Sequence, residues 1–332
     1  MSNNYRKTLA QAGLVVCLGV ASACGADPQP PTTPVAYDQA FAETWRDGKA
    51  ELASYDLVYP RYGELRTGTA VAITVTEPFL PGPRVKADQA GGDSYEVVKL
   101  NLAEDFQTGI YDYNLMTSVF VATQPANGLP AGAATKVSFS AQEWCGMAYQ
   151  QALFSKPQRG TPGVQVDSHS YFEGEADQRQ TLDRPDGALS EDELMLWARG
   201  LAGPSLKPGE RVEGVAVFRS AAVQRLQHKP AAWDEVTLSR QAESQQVTVP
   251  AGEFACEVFT AEVSSDIGGR AYTFYVDADP QSARRVVKVT RDDGYELQLR
   301  GAERLPYWQQ HGNADEGQLP AIGLQRRGPG QM

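Results

Sequence analysis

Cys145 and His169 are the residues whose types and spacing could support nucleophilic chemistry. A thiol hydrolase or transferase needs a thiolate, an imidazole base and a carboxylate or amide that orients the base. Cys145 lies in the stretch Gln142–Gly146 (QEWCG), and His169 follows far enough on to return on a neighbouring strand. Asp167, His169, Tyr171 and Glu173 recur at period two, which places all four on one strand face. In such a site Cys145 attacks, His169 takes the proton, Glu173 supplies the carboxylate and Gln142 contributes an oxyanion donor. A competing reading is plainer. Cys145 continues the apolar face of Val137, Phe139 and Ala141, and a buried thiol has a raised pKa and is inert. Asp167, His169 and Glu173 would then be ordinary polar residues on the solvent face of a strand. One histidine with carboxylates is a poor metal set, and the chain has only three histidines, so no metal or other cofactor is expected. Phosphate-binding loops, H-E-x-x-H, G-x-S-x-G, S-x-x-K and C-x-x-C are all absent.

A second kind of chemistry is written at the N-terminus. Arg6 and Lys7 precede an apolar or small-residue run from Ala12 to Val20, and Ala21, Ser22 and Ala23 lead to Cys24. The run is too short to span a bilayer, and its flanks are those of a cleaved signal. Residues 1–23 read as a lipoprotein signal peptide and Cys24 as the lipidated residue, a membrane anchor on the cell envelope. Gly25 stands where Asp would retain a lipoprotein in the inner membrane of a Gram-negative cell, and by that resemblance the outer membrane is favoured. The net charge of −11 argues against nucleic acid and against adhesion to anionic lipid, so the acyl chains must supply the membrane affinity. Cys145 and Cys256 are the remaining thiols. An oxidising compartment allows a disulfide between them, and two buried free cysteines are the alternative.

The elements that must position these residues are mostly strands. Residues 24–35 are rich in proline and form a stiff tether. Thr33 and Pro34 suit a helix start, Tyr37, Phe41 and Trp45 form an i, i+4, i+8 stripe, and Gly48 closes the helix. Period-two runs follow near 52–59, 71–76, 94–101, 106–121, 134–144 and 164–173. A second set lies at 212–218, 233–249, 254–263, 271–277, 284–291 and 295–300. Helix 190–202 stands between them, with a Ser190/Glu193 capping box, a Leu189/Leu194 staple and Gly203-Pro204 at its end. Glu191, Asp192 and Glu193 suit the dipole at its start. Residues 36–302 therefore form a β-rich domain, as one body or as two lobes, 36–188 and 205–302, joined by that helix. Residues 303–332 read as a disordered tail.

The stretches Trp45–Leu52 (WRDGKAEL), Tyr62–Arg66 (YGELR), Thr76–Phe79 (TEPF), Val98–Asn101 (VKLN), Thr108–Tyr111 (TGIY), Gln142–Gly146 and His169–Phe172 (HSYF) resemble a family of uncharacterised bacterial lipoproteins. Members of that family often carry the label "septum formation inhibitor Maf". Maf proteins proper are short cytoplasmic nucleotide pyrophosphatases with an α/β fold. The lipidation signal and the β pattern point away from that activity. Val247–Phe254 (VTVPAGEF) and Tyr272–Asp277 (YTFYVD) are similar to secreted proteins with long curved sheets, an architecture related to the lipoprotein carriers LolA and LolB.

The expected fold is mainly β: a long curved antiparallel sheet or open barrel with one or two covering helices. In carriers of the LolA type the concave face holds acyl chains, so the resemblance implies a ligand groove. Aromatic residues placed to line it are Tyr111, Tyr113, Phe120, Tyr272, Phe274 and Tyr275. Plain sheet core is the alternative for them. The expected function is a lipid-anchored envelope protein that binds an apolar ligand or a partner protein without catalysis. The alternative is a thiol-dependent enzyme at Cys145 and His169.

Overall fold

Hairpins built in series determine this architecture. The computed structural model describes residues 34–325; the expected signal peptide, Cys24 and most of the expected tether lie outside them. Eight strands come first: β1 Ala50–Arg61, β2 Glu64–Phe79, β3 Tyr95–Thr108, β4 Tyr111–Ala122, β5 Ala134–Glu143, β6 Gly146–Phe154, β7 Val164–Ser170 and β8 Gln178–Leu182. Each pairs antiparallel with the next. The later strands are β9 Leu189–Ser190, β10 Arg211–Phe218, β11 Trp233–Arg240, β12 Gln245–Val249, β13 Gly252–Ser264, β14 Arg270–Asp277, β15 Val286–Arg291 and β16 Glu296–Leu305. β1 pairs with β16, so the two halves are one sheet and not two lobes. The sheet runs from β8 to β9 and is open, with one parallel pair, β9 with β10.

The sheet curls until its far ends approach. Trp233 Nε1 donates to the carbonyl of Asp183, just beyond β8, at 2.7 Å. Phe154 of β6 packs edge-on against Phe218 of β10, with ring centroids 5.4 Å apart. One apolar core fills the concave side and takes residues from both halves, including Leu57, Val137, Val166, Val236 and Val276. Alternation along each strand supplies it: on β4, Tyr113, Leu115, Val119 and Val121 are buried, while Asn114 and Met116 are exposed.

Among the described residues three short α-helices accompany the sheet: α1 Gln39–Trp45, α2 Leu194–Ala198 and α3 Ala221–Leu226. α1 starts later than Thr33-Pro34 would place it, because Asp38 Oδ1 accepts from the Phe41 N–H at 3.2 Å and caps the first turn. Phe41 and Trp45 are buried as the stripe requires. The internal helix is shorter than 190–202. A 3₁₀ turn over Glu191–Glu193 carries the Ser190/Glu193 capping box, and α2 follows. All five α2 residues are buried. Leu194, Leu196 and Trp197 each contribute roughly 2 kcal/mol by leaving water, so this segment is part of the core and not a surface cover. Trp197 packs edge-on against Phe259 and Phe274.

Two runs that read as single strands are interrupted, the first by a hairpin turn and the second by a break between two strands that both pair with β13. Thr108–Tyr111 turns between β3 and β4, where Gly109 adopts φ +66°, and residues 241–244 separate β11 from β12. The final segment also differs from a disordered tail. β16 continues to Leu305, and Asn313–Ile322 form 3₁₀ turns that pack on the convex side over Leu52, Ile73, Val75 and Leu305. Ile322 is buried there, and its carbonyl accepts from the Ser54 hydroxyl. The polar composition hid one apolar face formed by Leu319, Ile322 and Leu324.

Candidate functional site

An antiparallel meander puts alternate turns at the same end of the sheet, so this sheet has two distinct poles. At one pole the chain enters. Val35 packs beside Gly132 and Gly203, the Tyr37 hydroxyl donates to the Leu201 carbonyl at 3.0 Å, and Arg199 pairs with buried Glu51 at 2.9 Å. At the other pole lie the β1–β2, β3–β4 and β5–β6 turns and the segment after β7. This rim exposes Tyr62, Leu65, Ile110, Trp144, Met147 and Tyr171.

Between the poles, a partly open cavity of about 100 Å³ separates the concave sheet from the segment 191–195 and the start of α3. Leu100, Leu102, Leu194, Met195, Phe274 and Leu297 give it apolar walls. Tyr272 also lines it, so two of the expected groove aromatics, Tyr272 and Phe274, reach a cavity. The others do not. Tyr113 is buried against Phe106 with stacked rings 5.1 Å apart, Tyr111 sits beside it toward the rim, and Tyr275 packs on the core edge. Phe120 belongs to the convex face, stacked on Phe79 at 4.8 Å.

Acidic groups punctuate this apolar interior. Glu104 occupies a core position in the inward series Val98, Leu100, Leu102, Glu104, Phe106. Burial pushes its carboxyl up to about 7, against the hydrogen bond from Tyr295 and the charge of Arg291. Asp192 is pushed up to about 6 by burial, against bonds from the Ala221 N–H and the Ser220 hydroxyl. Glu193 is pushed up to about 8 by burial, against bonds from the Ser190 and Ala134 N–H groups and the charge of Arg184. Glu191 instead pairs with Arg270, at 2.6 and 2.9 Å, and accepts from the Tyr272 hydroxyl at 2.7 Å. The acidic triplet therefore does more than complement a helix start: it ties the segment to β5, β14 and α3. The signal for Glu104 was visible as an acid at an apolar-face position. Nothing local marked the triplet as interior.

At the rim, a second pocket of about 320 Å³ is lined by residues that include Arg61, Glu143, Cys145, Phe172, Arg225 and His228. Cys145 is not on the buried face of β5. That strand ends at Glu143, which pairs with Gly146, so Trp144 and Cys145 form a two-residue hairpin turn and the thiol residue is exposed. Cys256 is buried in β13, and burial pushes its thiol up to about 12. Both cysteines are free, so the possible bridge is not made: one sits in a rim turn and the other inside the sheet.

The expected catalytic set is dispersed. His169 faces outward on β7, 58 % exposed, with Nδ1 2.8 Å from Asp177 and its ring stacked on Tyr149. Glu173 is exposed in the turns after β7, which ends at Ser170, and Gln142 is exposed on the convex face of β5. The imidazole that shares a pocket with Cys145 is His228, whose Nδ1 lies 2.6 Å from Glu175 Oε1. Among the described residues no hydrogen bond joins Cys145 Sγ to either imidazole, and no cluster of three metal-ligating side chains occurs.

No family model matches this chain, and no curated protein matches it. The functional reading therefore rests on the chain's own residues.

Proposed function

We propose that this chain is a lipid-anchored cell-envelope protein, acylated at Cys24, that binds an apolar or amphiphilic ligand inside its curled sheet. One observation carries the reading: an apolar-walled cavity lies between the concave sheet and the chain's own helical segment. Its size sets the mode of binding. A cavity of about 150 Å³ holds a benzene ring, whereas whole-ligand pockets run to about 300–1,000 Å³. The space of about 100 Å³ seats one small apolar group. A longer chain requires α2 and α3 to shift outward, against the ion pair and hydrogen bonds that Glu191 and Asp192 make to β14 and to the start of α3. The exposed apolar side chains of the rim suit contact with a partner protein from which such a ligand is received or to which it passes. The basic, apolar, small-residue and cysteine order of residues 6–24 supports the anchor, with the outer membrane favoured by Gly25.

The test is saturable binding of N-phenyl-1-naphthylamine to the full protein, followed by fluorescence. Leu102→Trp fills the cavity from a half-buried position and should weaken binding about tenfold, a change of ~1.4 kcal/mol, with little change in thermal midpoint. Absence of saturable binding, or binding indifferent to Leu102→Trp, would overturn the reading. Mass spectrometry of the protein from its native membrane tests the anchor separately, where an unmodified Cys24 would refute it.

A further inference from the structure

The rim pocket holds charged groups without adequate partners. Arg225 is 7 % exposed, yet its guanidinium makes only two long contacts, 3.4 Å to Glu175 Oε2 and 3.5 Å to the Lys229 carbonyl. Its Nε has no acceptor. Arg61 forms no ion pair among the described residues. It donates to the Leu226 carbonyl at 2.7 Å and to the hydroxyls of Tyr113 and Tyr62 at 3.0 and 3.3 Å, and its Nε is also unsatisfied. Glu143 has no cationic partner among the described residues; the Tyr113 hydroxyl is its polar neighbour, and its Oε2 is buried without a hydrogen bond. Three of the 11 buried side-chain atoms lacking a partner among the described residues thus belong to one pocket. Such groups carry a desolvation cost of about 1–3 kcal/mol each, more when charged, unless something satisfies them.

The geometry brings the opposite charges together. Glu143 is the cross-strand partner of Tyr113, the residue whose hydroxyl accepts from Arg61. Cations and carboxylate therefore line the same space, bridged by a phenol and not paired directly. A simple anion would satisfy the guanidiniums and be repelled by Glu143. A simple amine would do the reverse.

We propose that this pocket binds a small zwitterion of the free α-amino acid class, with its carboxylate on Arg61 and Arg225 and its ammonium on Glu143. Arg225, whose contacts are both long, has two terminal N–H groups to offer a carboxylate in the two-pronged geometry that Arg favours, and Arg61 adds its positive charge beside it. The volume of about 320 Å³ lies at the small end of ligand pockets, which suits a molecule of that size. Phe172 and Leu226 offer apolar contact for a side chain. Cys145 lines the same pocket, so an occupant covers its sulfur.

That coverage supplies the experiment. The full protein is treated with N-ethylmaleimide at neutral pH, and labelling of Cys145 is followed by peptide mass spectrometry. Separate reactions contain a panel of α-amino acids, acetate, ethylamine or inorganic phosphate. At a concentration of about four times Kd, a bound ligand leaves one fifth of the sites free, so labelling should slow about fivefold. At least one α-amino acid should do this, while acetate, ethylamine and phosphate should not. Arg225→Gln and Glu143→Gln should each abolish the protection. Glu143 lies at a strand end, so its variant remains informative if Arg225→Gln fails to fold. Three results would each overturn the proposal. One is no protection by any amino acid, which leaves the orphan groups to water. Another is equal protection by acetate or phosphate. The third is protection that survives Glu143→Gln.

Discussion

Tyr295 Oη, just before β16, donates to Glu104 Oε1 of β3 at 2.8 Å, although β1 and β2 lie between β3 and β16 in the sheet. Three strand spacings of about 4.8 Å put β3 and β16 roughly 14 Å apart along a flat sheet. The bond closes because the sheet curls, and it hangs a carboxyl in an apolar interior. That carboxyl makes the fold sensitive to pH.

Glu104, Asp192 and Glu193 are all held above the usual carboxylate range, to about 7, 6 and 8. A raised acid binds its proton more tightly in the folded state. Its contribution to stability is full below the unfolded pKa and is lost as pH rises through the folded value. The thermal midpoint should therefore rise as pH falls from about 8.5 to about 5, the window bounded by these values and the ordinary carboxylate range. Asp234 and Asp293 have lowered values, each set by a balance of burial against bonds from Arg219 and Arg291 respectively. Their contribution is lost at still lower pH, so stability should pass through a maximum. Glu104→Gln should flatten the alkaline limb and add on the order of 1–2 kcal/mol at pH 8. Midpoints measured from pH 3 to 9 decide it, and a midpoint that climbs steadily from pH 5 to 8 contradicts it.

The Arg270–Glu191 pair anchors the central segment to β14, with Arg270 also 3.1 Å from Asp234. Both partners are nearly inaccessible. Glu191→Ala leaves a buried guanidinium short of an acceptor and the Ser220 N–H without its carboxylate. Breaking such a pair costs about 3–5 kcal/mol. Urea titration should show the midpoint falling accordingly, whereas Glu213→Ala, which removes an exposed partner of Arg211, should leave it in place.

The two thiols should react differently. Cys145 should alkylate in the native protein, while Cys256 should label only on unfolding, since it is buried with its thiol pushed up to about 12. His169→Ala should leave the Cys145 rate unchanged, because that imidazole is engaged with Asp177 on the outer face. A rate that collapses in His169→Ala would restore the catalytic pair. Intact mass should be the same with and without reductant.

The C-terminal segment docks where Gly301 has no side chain. A Cβ there would stand 2.7 Å from the Gly323 backbone nitrogen. Gly301→Ala should release residues 306–325 while leaving the sheet paired, at about 1–3 kcal/mol for a packing error. Hydrogen exchange should rise in that segment and over Leu52, and little elsewhere. Protection unchanged over both would show that the backbone yields instead.

Much of the β architecture was legible in order along the chain. Strand alternation near 212–218 and 271–277 reports one buried face, and the Ser190/Glu193 box announces its own helix start, because both are local patterns; near 71–76 the apolar residues Ile73 and Val75 instead lie on the convex face under the C-terminal segment, while Ala72 faces the core. Local pattern also misled where a turn was tight. The residues before Cys145 alternate correctly, but a two-residue hairpin at Trp144-Cys145 ends the strand and turns the thiol to the rim.

Residue types and spacing alone determined the strand-rich class, the helix between the strand sets, the acidic balance and the expected lipid anchor. Only the tertiary structure decided that both halves share one sheet through β1 and β16, that the helical segment lies inside it, and that Cys145 shares a pocket with His228 and not with His169. The physical reason is range. Alternation and capping are set by neighbours a few residues apart, whereas these outcomes depend on how far the sheet curls. Curl is the sum of twist over many strands, and no single stretch of sequence carries it.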